Sequence, residues 1–312
     1  VKVLVTGASG TFGTALIKHL LQHEPIEKIV AYSRNESKQA ERKAEIDDER
    51  VQWMIGDVRD RDRLYDAFHR IDSVIHAAAL KRVDDNDPME LYRTNVEGTM
   101  NVVRCAIQRN TSKVLVLSTD KACAPATAYG ASKQMAEFYS VYANKWGNPQ
   151  VRISATRWGN VIASAGSVLH KWRSEDVLSI TDPDSTRFLL TVQQAVAHAV
   201  RFFNFMLGGE IFVPALPSCS VRNLAEAAFP NKKTQTIGLR CGEKRHEVLV
   251  SYDEVPRTYY QEGFYVIESP HIRTHRWCKF KSPVLNQVSS AMGGIMTIEG
   301  IRALLKEAGW TS

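Results

Sequence analysis

From its first residue the chain alternates short, dense apolar runs with longer stretches whose apolar positions recur every three or four residues. The runs are Val1–Thr6, Ile29–Ser33, Val51–Gly56, Ser73–Ala77 and Lys113–Ser118, and the helical stretches include Thr14–Gln22, Arg61–His69 and Asn95–Arg109. Continuous β-branched runs such as Val-Leu-Val and Lys-Val-Leu-Val-Leu suit strands covered on both faces, and the alternation with amphipathic helices suits parallel βαβ units. The pattern predicts an α/β fold, a doubly wound parallel sheet, over residues 1–160. After Asn160 the rhythm loosens, punctuated at Asp182-Pro183, Gly208-Gly209, Pro214, Pro217 and Pro230. A smaller C-terminal lobe, 161–312 and interleaved with the first, is expected there, with helices over Thr191–Met206 and Val221–Ala228 and a strand at Glu210–Val213. A last helix at Thr297–Ala308 is expected on the surface, and Glu268–Gly294 carries little regular pattern.

Composition narrows the class. The 312 residues are 44% hydrophobic and 24% charged, which excludes a disordered chain and allows a substantial core. No apolar run is long enough to span a bilayer, and the chain opens without a basic stretch and cleavage site, so a soluble cytoplasmic protein without membrane association is expected. A net charge of +6 suits an anionic ligand such as a nucleotide. The basic residues are scattered, with no zinc-finger or RNA-binding pattern, so no nucleic-acid partner is expected. Five cysteines without paired spacing argue against a disulfide framework and a metal cage, and no metal is expected. His76 has no carboxylate or second histidine at metal-ligand spacing and is read as structural.

The chemistry concentrates in a few stretches. Val1–Thr6 runs into Gly7-Ala8-Ser9-Gly10-Thr11-Phe12-Gly13, where glycines permit a tight turn and bring helix N-terminal NH groups to a pyrophosphate. This makes the sheet Rossmann-like. The end of the second strand reads Ser33-Arg34 in place of the acid that would bond a ribose 2′-hydroxyl, so the expected cofactor is NADP. Asp57 suits either an adenine amino group or a turn, with Val58 against the ring. The small side chains of Ala77, Ala78 and Ala79 would let a dinucleotide lie on the backbone, or simply permit close helix–strand packing. Farther on, Ser118-Thr119-Asp120-Lys121 precedes Tyr129 and Lys133, which stand one helical turn apart. A lysine beside the phenol is expected to lower its pKa and make Tyr129 a base for a sugar hydroxyl.

Through Thr6-Gly7-x-x-Gly10-x-x-Gly13 and Tyr129-x-x-x-Lys133 the chain resembles the extended short-chain dehydrogenase/reductases. Ser118-Thr119-Asp120-Lys121 is similar to the UDP-N-acetylglucosamine 4,6-dehydratases that invert C5. So are His76-Ala77-Ala78-Ala79-Leu80-Lys81, Thr94-Asn95, Arg157–Val161, Thr186-Arg187-Phe188 and Gly242-Glu243-Lys244-x-His246-Glu247. The resemblance covers roughly residues 1–268. It implies an NADP-dependent lyase of polysaccharide biosynthesis with Thr119, Asp120, Lys121, Tyr129 and Lys133 as catalytic residues. Lys81 is assigned to cofactor and substrate, and Asn160, Arg187, Arg240 and Glu243 to a UDP-sugar. Trp158, Cys241, Ala163 and Ala165 depart from the family's tyrosine, proline, glycine and arginine, on the side expected to face the nucleotide sugar. A UDP-sugar 4-epimerase or reductase, which would not need Asp120-Lys121, and a silent NADP sensor are the competing readings.

A homo-oligomer is also expected, through a four-helix contact of Asn95–Arg109 and Tyr129–Lys145. Apolar positions Val102, Val103, Ala106, Met135, Phe138 and Val141 exceed what one core-facing stripe needs.

Overall fold

In the computed structural model, which describes residues 1–81, 87–270 and 282–311, the apolar runs become the central strands of one sheet. These are β1 (Lys2–Thr6), β2 (Lys28–Ser33), β3 (Val51–Ile55), β4 (Ser73–His76), β5 (Lys113–Leu117) and β6 (Arg152–Thr156). They lie in the order β3-β2-β1-β4-β5-β6, all parallel. The order reverses between β1 and β4, so the loops leaving those two strands open a crevice at their C-terminal ends, the place where doubly wound sheets bind ligands.

The sheet does not stop at the first half of the chain. Ile211–Pro214 pairs parallel to β6, and Phe264–Ile267, Thr258–Gln261 and Ser282–Pro283 follow antiparallel to complete ten strands. The remaining C-terminal elements form a separate lobe. Its core joins Leu169, Trp172, Leu178, Leu189, Leu224 and Phe229 with Ile301, Leu304 and Leu305 of the last helix, Ile298–Glu307. That helix is therefore half in the core, with its buried face on the helix Val221–Ala228. Part of the pattern-poor stretch Glu268–Gly294 lies outside the described residues, as does Cys278.

Several elements depart from the sequence reading, among them two helical ones. Glu36–Glu45 is a helix in which only Gln39 is buried, so it carries no apolar stripe to reveal it. The start of the predicted helix Asn95–Arg109 is a π-helical segment, Tyr92–Glu97, that leads directly into the α-helix Gly98–Gln108. Of the six apolar positions expected at an oligomer contact, Val102, Val103, Ala106 and Val141 are buried in the chain's own core, which corrects that reading. Met135 and Phe138 are exposed.

Beneath the crevice a buried ion cluster ties the two halves together. Arg157, 1% exposed, reaches Glu137 at 2.6 Å on one side and Glu254 at 3.0 Å on the other. Burial would push the Glu254 carboxyl up, but the Arg157 charge and hydrogen bonds outweigh it and bring the pKa down to about 2.

Candidate active site

The crevice is a cavity of about 740 Å³. Gly7, Ser9, Gly10, Thr11, Phe12, Gly13, Ser33, Arg34, Asp57, Val58, Ala77, Ala78, Ala79 and Lys81 line one side, and Thr119, Lys121, Tyr129, Trp158 and Asn160 the other. Gly7 has φ +71°, and a Cβ there would lie 2.8 Å from the Ala77 carbonyl carbon and the Ala78 nitrogen. Only glycine lets the β1 and β4 loops close to this distance.

At the mouth, the Ser33 hydroxyl accepts from Gln39 Nε2 at 2.9 Å, which leaves its own proton to donate. Arg34 is half exposed and stands 3.8 Å from Asp57. The Asp57 carboxylate is turned mainly to Arg59, accepting from its backbone NH at 3.0 Å and its guanidinium at 2.7 Å, so it forms the turn that the residue type allowed. Val58 is largely covered, and Lys81 donates to the Ala165 carbonyl at 2.9 Å, bridging the two sides of the cavity. His76 is buried between Thr6 and Thr99, at 2.6 and 3.0 Å, and burial and the Lys133 charge hold its pKa down to about 3. It is a neutral structural residue, as read from the sequence.

The π-helical segment supplies a residue to which the sequence reading gave no role. Asn95 accepts from Leu80 NH at 2.8 Å and donates to Leu80 carbonyl and Ser132 Oγ, each at 3.0 Å. It fixes the loop after β4 against the helix that carries Tyr129. The signal was present in Thr94-Asn95, but the extra residue of a π-turn leaves no mark in a hydrophobic pattern.

The catalytic loop follows β5. Asp120 is fully buried, and its carboxylate accepts from Thr119 Oγ1 at 2.8 Å and from Lys121 Nζ at 2.9 and 3.1 Å. Lys121 Nζ also lies 3.1 Å from Asn160 Oδ1 and 3.2 Å from Glu247 Oε1. Burial works against the ammonium, but Asp120 and Glu247 outweigh it and hold Lys121 above its usual pKa. Tyr129 starts the helix Ala128–Trp146, capped where Thr127 Oγ1 accepts from Gly130 NH at 3.1 Å. The next residue, Gly130, packs so tightly that a Cβ would lie 2.4 Å from the Lys121 carbonyl oxygen.

The expected partnership of Tyr129 with Lys133 needs correcting. Lys133 donates to the Leu117 carbonyl at 2.7 Å, and burial brings its pKa down to about 8. Burial pushes the Tyr129 phenol up to about 12, and the groups that pull it back are the Lys121 charge and a Thr119 hydrogen bond. Lys133 thus anchors the helix to the end of β5, and the Lys121 charge also lowers the phenol pKa.

A smaller cavity of about 160 Å³ shares Lys121 and Asn160 with the first and is lined by Arg187, Arg240, Cys241, Glu243 and Glu247. Arg187 and Glu243, which the sequence presented as separate contacts, form one pair at 2.7 Å. The positions that depart from the family's pattern lie here and along the main cavity. Trp158 is buried with its ring 5.6 Å from Phe12, Cys241 is exposed, and Ala163 has φ +55°, the left-handed conformation that favours the glycine usual in the family.

Comparison with known proteins agrees with this architecture. A family described as polysaccharide biosynthesis protein matches residues 3–269. The UDP-N-acetylglucosamine 4,6-dehydratase (inverting) of Campylobacter jejuni serotype O:23/36 is 42% identical over 279 residues, covering 87% of this chain and 83% of that protein. The UDP-glucose 4-epimerase of Rickettsia prowazekii is 37% identical, covering 85% and 82%. Among solved structures, Pen from Bacillus thuringiensis superposes with a TM-score of 0.91 at 29% identity, covering 98% of this chain and 97% of that one. With glycine loop, Tyr129 and catalytic loop on one crevice, the chain belongs to the polysaccharide biosynthesis protein family, within the extended short-chain dehydrogenase/reductases.

Proposed function

We propose that this protein is a nucleotide-sugar 4,6-dehydratase that acts on UDP-N-acetylglucosamine with inversion at C5, giving a UDP-4-keto-6-deoxy sugar, and that its dinucleotide is NADP(H). The observation that carries the reading is Lys121 on the cavity wall with Tyr129, paired at 2.9 Å with the fully buried carboxylate of Asp120. A 4-epimerase needs a base for O4 but no acid–base pair for elimination.

The cavity fits a dinucleotide at Gly7, Ser9–Gly13, Ser33, Arg34, Asp57, Val58 and Ala77–Ala79, where glycine and alanine leave the backbone open to an anion. The end of β2 offers a hydroxyl and a guanidinium and no carboxylate, which suits a 2′-phosphate. When bound, the nicotinamide accepts hydride from C4 and returns it at C6, so there is no net oxidation. Arg187, Arg240, Glu243 and Asn160, with Lys81 at the junction, are assigned to the UDP-sugar.

Once the Tyr129 phenol has lost its own proton to solvent, a loss that the Lys121 charge and the Thr119 hydrogen bond favour, the phenolate takes the O4 proton, and the ketone formed at C4 makes the C5 hydrogen acidic. Elimination then needs an amine to remove that proton and an acid to protonate O6. At rest Asp120 and Lys121 are carboxylate and ammonium at 2.9 Å, and one proton moved along this hydrogen bond gives both required forms. Elimination passes the C5 proton to Lys121 and the Asp120 proton to O6, releasing water and restoring the ion pair. Hydride addition at C6 leaves an enolate, and a proton taken from solvent at C5 on the face opposite Lys121 completes inversion.

Incubation with UDP-N-acetylglucosamine tests the reading by mass spectrometry. Loss of one water from the sugar is expected, and epimerised substrate of unchanged mass would overturn it. A homo-oligomer is also proposed, now through exposed Met135, Phe138, Tyr142 and Trp146 on one helix. Sedimentation as a 35.0 kDa monomer at micromolar concentration would exclude it.

A further inference from the structure

We infer that Glu247 is a positioning residue for the elimination, a fixed anion that holds the Lys121 ammonium beside Asp120 and sets the pH at which it gives up its proton. The inference rests on the dehydratase reading for the role of Lys121. Its structural basis is independent of that reading.

Glu247 is 3% exposed, yet it sits in the wall where the two cavities meet. Oε1 is 3.2 Å from Lys121 Nζ. Oε2 is buried without a hydrogen-bond partner, and Lys244 Nζ is 3.9 Å from it. The backbone at Glu247 is pinned: its NH donates to Ser290 Oγ at 2.9 Å, and its carbonyl accepts from Ser290 NH at 2.8 Å. Ser290 is in turn locked to Thr186 at 2.6 Å. With its backbone pinned and its side chain buried, Glu247 has little room to follow Lys121 if it moves, so it defines where the ammonium rests.

The charges around the pair come from four segments. Asp120 lies on the catalytic loop, Tyr129 on its helix, and Arg187 on the strand Thr186–Leu190, where Glu243 neutralises it. Arg240, Lys244 and His246 belong to the Glu247 segment; Lys244 is tied to the Cys123 carbonyl at 2.7 Å and His246 to Thr186 at 2.9 Å. Among the described residues, Asp120 and Glu247 are thus the two anions in direct contact with Lys121. Asp120 gives up its negative charge when it takes the proton for O6, whereas Glu247 has no proton to exchange in the reaction. It therefore keeps Lys121 in place through the moment when the ion pair is discharged.

The test titrates Lys121 directly, by trace acetylation across pH and peptide mass spectrometry on the full chain without substrate. Glu247→Gln should move the Lys121 midpoint to lower pH by about 1–3 units, the effect of removing an opposite charge at this range. Glu247→Asp, which keeps the charge, should recover part of the shift. In turnover assays the alkaline limb of the pH–rate profile should move down with the midpoint, whereas a merely structural residue would lower the rate at every pH and leave the limb in place. An unmoved midpoint in folded Glu247→Gln protein overturns the inference even if the wild type dehydrates its substrate. A moved midpoint in a protein that never dehydrates the sugar leaves Glu247 as the anchor of Lys121 and overturns the dehydratase reading instead.

Discussion

Two loops leave the same edge of the sheet and are built in opposite ways. The loop after β1, Gly7–Gly13, contains no ionisable side chain, and its shape comes from the close approach of Gly7 to the Ala77 backbone. The loop after β5 buries Asp120 and surrounds Lys121 with oxygens from Asp120, Asn160 and Glu247. Recognition of a large anion can be assigned to backbone, which is always present and needs only room. Proton transfer needs groups that change charge, and those must be brought from distant parts of the chain and held against repulsion and desolvation.

The contrast breaks most sharply at the catalytic loop. Asp120→Asn and Lys121→Met should slow elimination by ~10²–10⁴ while sparing the Tyr129-dependent hydride step. Reduced nicotinamide should then accumulate, visible by its near-ultraviolet absorbance, with little 4-keto-6-deoxy product. Tyr129→Phe should abolish both signals. Full turnover in either of the first two variants would make the pair structural and favour the epimerase reading.

A second consequence separates the charged half from the glycine loop by pH. Folding depresses the Glu254 carboxyl from 4.5 to about 2, so the stability it contributes is complete above the unfolded value and is lost as pH falls towards 2. A shift of this size corresponds to about 3 kcal/mol. Urea unfolding across that window should show the loss, and Glu254→Gln should be weaker at neutral pH but flatter in its acid dependence. An unchanged slope would remove Glu254 from the acid response.

The smallest effect is expected at the mouth of the backbone-built loop, where Arg34 is the guanidinium assigned to the 2′-phosphate. Arg34→Asp should weaken NADP binding more than NAD binding, by about 1–3 kcal/mol. Equal weakening, measured by calorimetry, would return the preference to NAD.

The same contrast explains what could be read before the fold was seen. The glycine loop, the strands β1 to β5 and the spacing of Tyr129 and Lys133 are local features, and each is written in a few consecutive residues. The helix Glu36–Glu45 was not legible because it buries almost nothing, and β6 escaped because its buried face includes Ser154 and Thr156. At the site, the sequence named Arg187 and Glu243 but not their pairing, and it did not bring Lys121 to the Tyr129 phenol. One helical turn puts Lys133 on the same face as Tyr129, but only the tertiary fold determines that its ammonium finds the Leu117 carbonyl first.

Gly130 carries one more implication. With no Cβ between its helix and the Lys121 carbonyl, Tyr129, the proposed base for oxidation, and the Asp120–Lys121 pair proposed for elimination move as one block, and neither can be retuned by sliding against the other. Divergence towards other sugars would then fall to positions outside that block, such as Trp158, Ala163, Ala165 and Cys241, which depart from the family's pattern. The oxidising and eliminating apparatus can be inherited whole while those positions drift.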